Sequence, residues 1–203
     1  MIKADERTFQ PFHLPAKLLA YFILLIAATA LAVNLVHTFS ADFVSYWAAG
    51  RLAFDGNAAG AYDIAVHRAM ELKAIDLDGL MPFPYPPLFL FVILPFALLP
   101  YAVGATLWTA VTFAGYWATA RRLLPHSGWL AAGFPPVLVN AIIAQNAFLT
   151  AALFIGGFLL LPKRPFVAGM VVGCLIVKPH LGLLLPLAFI AAREWRAFAG
   201  AAL

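Results

Sequence analysis

The run LLAYFILLIAATALAVNLV, residues 18–36, carries no charge and matches the roughly 20 residues of helix that span a bilayer core. Just beyond it, SADFVSYWAAGR, residues 40–51, places Asp42 and Arg51 among aromatic and small residues. A spanning helix followed by a charged island sets the reading of the whole chain. Hydrophobic residues make up 64% of the 203 positions and charged residues 11%. Soluble domains average roughly 45–50% apolar and about 25% charged. The composition therefore predicts an all-α, multi-pass transmembrane helical bundle, organised as one membrane domain over residues 1–203.

Residues 17–36 are read as the first transmembrane helix. Lys3, Arg7 and Lys17 precede its apolar run, which begins at Leu18, and predict a cytoplasmic N-terminus. A cleaved signal peptide is the alternative, with small residues near Ala32 as a processing site. The apolar run exceeds the usual signal core of about 7–15 residues.

Residues 37–85 are read as one outer loop. It holds six of the nine acids, Asp42, Asp55, Asp63, Glu71, Asp76 and Asp78. Within it, Phe43, Tyr46, Trp47, Gly50 and Phe54 recur at helical spacing, and Asp55-Gly56-Asn57 is a turn signal. Tyr62, Ala65, Ala69 and Leu72 form a second apolar stripe, with Asp63, His67, Arg68, Glu71 and Lys73 around it. Both segments read as interfacial helices lying in the headgroup plane. The following Met81-Pro-Phe-Pro-Tyr-Pro-Pro87 is a stiff extended return to the membrane, because each proline disfavours helix at the residue before it.

Residues 86–203 carry further transmembrane or re-entrant segments at 88–99, 102–120, 129–144, 147–161, 166–177 and 181–192. Several are too short to cross alone, and such broken helices are tolerated where they line a cavity. If every segment crossed, Arg193 and Arg196 would face outward, against the positive-inside rule. Either 88–99 dips in and returns, or 129–161 is one interrupted crossing. Both solutions put Lys178 on the same outer side as Asp42.

A charge beside hydrocarbon is costly and marks a candidate site. Asp42 reads as a proton acceptor, with a favourable helix N-terminal charge or cap as the plainer reading. Lys178, in Val-Lys178-Pro179-His180, is a point charge suited to a phosphate, or a lysine snorkelling to interfacial water. His180 adds a donor beside it. Gln145 and Asn146 suit a sugar or headgroup, or an interhelical hydrogen bond. Tyr46, Tyr85 and Trp47 can stack on a sugar or an isoprenoid chain, or belong to an interfacial aromatic belt.

No cluster with metal-ligand spacing is present. Asp76-Leu-Asp78 is compatible with a divalent ion but reads as a solvated turn, so no cofactor is called for. The lone Cys174 sits in an apolar run and offers no disulfide framework. The net charge of +4 is too small to point to nucleic acid.

Asp42-Phe-Val-Ser-Tyr46, Gly56, Tyr62-Asp63, Tyr85-Pro86-Pro87, Leu94-Pro95, Leu99-Pro100 and Trp108 form an ordered series. Gln145-Asn146, Ala168-Gly169, Val177-Lys178-Pro179 and the turn from Arg193 to Arg196 continue it. In this order they resemble the integral-membrane, polyprenol-phosphate-dependent glycosyltransferases of the GT-C type, family GT87, a mannosyltransferase-like group. The resemblance implies transfer of a sugar, mannose foremost, from a polyprenyl-phosphate donor to a lipid or glycan acceptor. It implies a site on the periplasmic or extracellular side of the cell's inner membrane. Asp42 would be the catalytic base and Lys178 would meet the donor phosphate. Members of the family run on through several more helices, so a chain stopping at Leu203 is expected to be truncated.

A transporter or flippase-like protein and a non-catalytic membrane fragment are the competing classes. Transporters favour paired ionisable residues near the midplane and internal repeats. No acid falls within the predicted spanning segments, and no convincing repeat is found.

Overall fold

In a computed structural model, the described residues are 18–19, 21–26, 28–29, 41–76, 79–125 and 128–203. Those between 18 and 29 are helical. The polar lead, the rest of the first predicted helix, and Asp78 lie outside the described residues.

After Ala41 every described element is helical. The order is α1 (Ala41–Phe54), a 3-10 turn (Ala58–Tyr62), α2 (Ile64–Glu71), α3 (Leu88–Ala97), α4 (Tyr101–Leu123), α5 (Gly128–Ala132) and α6 (Pro135–Ile143). Then come α7 (Ala147–Leu160), α8 (Pro165–Gly173), a second 3-10 turn (Cys174–Val177), α9 (Pro179–Gly182), α10 (Leu185–Ala191) and α11 (Trp195–Ala201). Among the described residues there is no strand.

The helix α1 departs from its sequence reading. Its spacing suggests one apolar face on a surface helix. In the structure Phe43, Val44, Ser45, Tyr46, Trp47, Ala48, Ala49 and Leu52 are all buried, while Asp42 is partly exposed and Phe54 reaches the exterior. A helix buried all round sits in a core. Tyr46 stands edge-on to Phe89 and Trp108, with ring centres 5.3 and 5.8 Å away. Such edge-to-face pairs add about 0.5–1.5 kcal/mol each beyond their burial.

α2 inverts the expected pattern. Its inward residues are His67, Met70 and Glu71, while Tyr62, Ile64, Ala65, Ala69 and Leu72 are exposed. Asp63 caps the helix, accepting from Ala65 N and Val66 N at 2.9 Å each. An Asp cap of this kind contributes on the order of 1 kcal/mol.

The chain turns by 119° between α3 and α4. Leu98 and Leu99 follow the end of α3, and because the chain turns away at Pro100 their carbonyls have no helical continuation to accept from. α1 supplies the missing donors. Trp47 Nε1 donates to Leu99 O at 3.0 Å, and Arg51 Nη2 to Leu98 O at 3.2 Å. Trp47, expected as a stacking or belt residue, is instead buried as a brace for this corner.

Prolines and glycines also divide two predicted segments. The stretch 129–144 becomes α5 and α6, separated by Gly133-Phe134 with Pro135 opening α6. The stretch 181–192 becomes part of α9 and all of α10, with Pro186 in the first turn of α10. α4 packs along α7, α7 along α8, and α8 along α11. Val172, Leu175, Leu185, Phe189 and Ala197 form a second, smaller core there. Among the described residues no single helix is both long and apolar enough to cross a bilayer. α3 and α4 together meet both conditions as a bent pair.

Candidate functional site

Asp42 lies in the first turn of α1, where the helix dipole favours negative charge. One turn further on, Ser45 and Tyr46 point the same way. These three residues form one wall of a pocket of about 210 Å³. Met81, Pro82, Pro84 and Tyr85 form the opposite wall, and Gln145 closes one end. Four residues singled out in the sequence, Asp42, Tyr46, Tyr85 and Gln145, thus meet in one cavity.

Gln145 follows Ala144, a non-glycine residue in the left-handed region at φ 53° that terminates α6. Trp108 Nε1 donates to Ala144 O at 3.1 Å and fixes that bend. The bend presents Gln145 to the pocket and turns Asn146 into the core at 0% exposure.

Lys178 joins the group through Gln145, donating from Nζ to Oε1 at 3.3 Å. It is held between the Cys174–Val177 turn and α9, half-buried. Burial lowers its pKa below the usual lysine value, and the nearby Asp42 carboxylate partly restores it. Acid and amine therefore act on each other across the pocket. The Tyr46 and Tyr85 hydroxyls lie 3.0 Å apart. Burial raises the pKa of both, with Asp42 adding to the effect, so both remain neutral hydroxyls. The Asn146 amide has no hydrogen-bond partner of ordinary geometry among the described residues, although it lies near enough to Tyr85 to act on its hydroxyl.

His180 does not join them. Pro179 opens α9, and His180 follows it on an exposed face outside this pocket. Asp76 is exposed, and no group of three or more His, Cys, Asp or Glu converges among the described residues. Ser45, Met81, Pro82 and Pro84 were not singled out from the sequence. Ser45 carried a usable signal, standing one helical turn after Asp42.

The proline-rich wall is pinned by side chains of α1, α2 and the turn between them. Ser45 Oγ donates to Pro82 O at 3.0 Å, and Tyr62 Oη to Tyr85 O at 2.9 Å. Met81 N donates to Glu71 Oε1 at 3.1 Å, and His67 Nε2 lies 3.1 Å from Met81 O.

Short, broken apolar helices surround a cavity that carries a carboxylate, an amide and two phenols, with an ammonium bonded to the amide, and every described element is helical, which makes the class all-α. The class can be made specific. The model of glycosyltransferase family 87 matches residues 83–203, more than half of the chain, and the protein belongs to that family. Members of the family are membrane proteins. No curated protein and no solved structure matches the chain. The matched region includes Tyr85, Gln145, Asn146, Lys178 and His180, whereas Asp42 and Tyr46 precede it.

Proposed function

We propose that this glycosyltransferase moves a sugar, mannose foremost, from a polyprenyl-phosphate donor to a hydroxyl of a lipid or glycan on the outer face of the cell membrane. The observation that supports this reading most is that Asp42 and Gln145 share one pocket and Gln145 in turn accepts from Lys178, three residues from segments far apart in the chain.

The acceptor hydroxyl attacks the anomeric carbon of the sugar while Asp42 takes its proton. The bond from that carbon to the phosphate oxygen breaks, and the electron pair leaves with the polyprenyl phosphate. Lys178 faces the negative charge that grows on that phosphate. A general base contributes about 10²–10⁴-fold, and a cation aimed at developing charge adds more in a site that excludes water. Gln145 holds the Lys178 ammonium at the pocket end, and the tyrosine hydroxyls offer hydrogen bonds to sugar hydroxyls. Asn146 lies beneath them as a buried support for the tyrosine pair.

The chain is read as a single membrane domain. The sharp turn between α3 and α4 favours the topology in which residues 88–99 dip in and return. In that topology each later basic pair faces the cytoplasm, and the pocket faces outward with the loop of residues 37–85.

The test uses membranes containing the protein, radiolabelled polyprenyl-phosphate mannose and a lipid extract. The unaltered chain is expected to form a labelled lipid product. Asp42→Asn is expected to cut its rate by at least ~100-fold with membrane insertion near normal. Turnover retained in Asp42→Asn would remove the base assignment.

A further inference from the structure

His67 and Glu71 are the least expected buried residues in the molecule. They lie on a helix whose apolar residues, Met70 apart, face outward, yet their exposures are 1% and 0%. Neither lines the pocket that holds Asp42. Burying two titratable groups is costly, so their partners matter.

Their partners are the two backbone polar groups of one residue, Met81. Glu71 accepts the Met81 N–H at 3.1 Å through Oε1 and at 3.4 Å through Oε2. His67 Nε2 lies 3.1 Å from Met81 O and 3.5 Å from Glu71 Oε1. Both neighbours of Nε2 are acceptors, so that nitrogen carries the proton and donates. Burial favours the neutral imidazole and lowers its pKa. Arg68, at 3.5 Å from Oε2, offsets part of the burial that raises the pKa of Glu71.

The segment they hold cannot hold itself. Prolines at 82, 84, 86 and 87 remove four of its N–H groups, leaving carbonyls with no ladder to join. Packing holds its middle, where Phe83 is buried against Tyr62, Tyr85 and Phe89. A second hollow of about 110 Å³ lies behind it, lined by Tyr62, His67 and Phe83. Pro82 and Pro84 line both hollows. The segment is therefore a thin wall with a hollow on each side, held along its length by Ser45, Phe83 and Tyr62, and at its leading end by the two contacts to Met81.

We propose that His67 and Glu71 are positioning residues for sugar transfer, fixing Met81 and through it the wall that faces Asp42. The inference rests on the transferase reading of that pocket. Without the two anchors the Met81 end of the wall is released, and the acceptor hydroxyl loses its alignment with the carboxylate. The donor end, built on Gln145 and Lys178, belongs to other elements and keeps its geometry.

Two measurements test this on the full chain in membranes. In the first, polyprenyl-phosphate mannose is titrated with saturating lipid extract. Glu71→Ala and His67→Ala are expected to lower kcat by on the order of 10- to 100-fold while the donor KM stays within about twofold. Glu71→Gln keeps an acceptor for the Met81 N–H, and His67→Gln keeps a donor near the position of Nε2. Both are expected to recover most of the rate. A rise in donor KM at constant kcat, or conservative variants as impaired as the alanines, would overturn the proposal.

The second measurement needs no turnover. Ser45→Cys, in a Cys174→Ser background, places a thiol beneath the wall. Maleimide labelling is expected to be slow, at least about tenfold faster when Glu71→Ala is added, and slow again with Glu71→Gln. Equal labelling in all three would refute the anchoring. If the unaltered chain transfers no mannose, the functional reading fails first, and the labelling still decides whether Glu71 holds the wall.

Discussion

Replacing Gly169 by alanine tests how the second core is built. α8 and α11 approach so closely that a methyl group on Gly169 would overlap the carbonyl oxygen of Ala197. The contact is reciprocal, since a methyl on Gly200 would overlap the carbonyl of Phe166. The obstacle is backbone on both sides, so no side chain can rotate out of the way. Small residues at such crossings let helix backbones meet within a membrane. Overpacking costs typically 1–3 kcal/mol, and a backbone clash belongs at the upper end, about 3 kcal/mol. Alanine returns roughly 1 kcal/mol as the better helix former. The net loss is about 2 kcal/mol, or roughly 4–8 °C in Tm for a chain of this size. Gly115 in α4 supplies the control, because its methyl would stand 3.7 Å from Ala152 Cβ in ordinary contact. Gly115→Ala is therefore expected to gain up to about 1 kcal/mol. Thermal unfolding of the detergent-purified proteins, followed by circular dichroism, reads both changes. The reasoning is refuted if the two substitutions shift Tm in the same direction, or if Gly169→Ala leaves it unchanged.

Two further predictions concern the pocket. Lys178 has a pKa lowered by burial, so it sheds its proton below the usual lysine range. Donor KM is expected to hold steady through neutral pH and to rise as alkaline pH neutralises the ammonium. Lys178→Arg stays protonated and should remove that limb; a limb of equal size in both would assign it elsewhere. Trp108→Phe removes the donor to the Ala144 carbonyl, at a residue with 0% exposure. It is expected to lose about 1–3 kcal/mol of stability. It should also weaken donor use, because Gln145 follows that bend directly. A stable variant with normal donor KM would show that the indole is not what sets the bend.

The positions of several helices were legible because their ends carry chemical marks. The predicted segment 147–161 appears as Ala147–Leu160, and 88–99 as Leu88–Ala97 ending before Pro100. Hydropathy was blind to the breaks inside 129–144 and 181–192, since residues on both sides of each break are equally apolar. Periodicity failed for α1 for a related reason. It registers the contrast between two faces, and a helix buried all round offers little contrast. The site was legible in its members rather than in their arrangement. Asp42, Tyr46, Tyr85 and Gln145 share a cavity and Lys178 reaches Gln145, while His180, its near neighbour in sequence, faces away.

The inversion of α2 shows why hydrophobicity misjudges the loop of residues 37–85. Met81-Pro-Phe-Pro-Tyr-Pro-Pro87 has three N–H groups for seven carbonyls, so its backbone must seek partners in side chains. Pro86 O and Pro87 O are taken up by the first turn of α3. Met81 O, Pro82 O and Tyr85 O instead meet His67, Ser45 and Tyr62. Polar residues turn inward because the proline wall demands them, and the apolar residues of α2 other than Met70 are left outside. The family match begins at Phe83, inside that wall. The acid side of the pocket therefore comes from the segment before the match, and the amine side from within it. The two halves meet across a wall whose conformation is set by side chains of α1, α2 and the turn between them. An account of this pocket confined to the matched segment would contain the lysine and the amide but neither the carboxylate nor the groups that hold the wall opposite it.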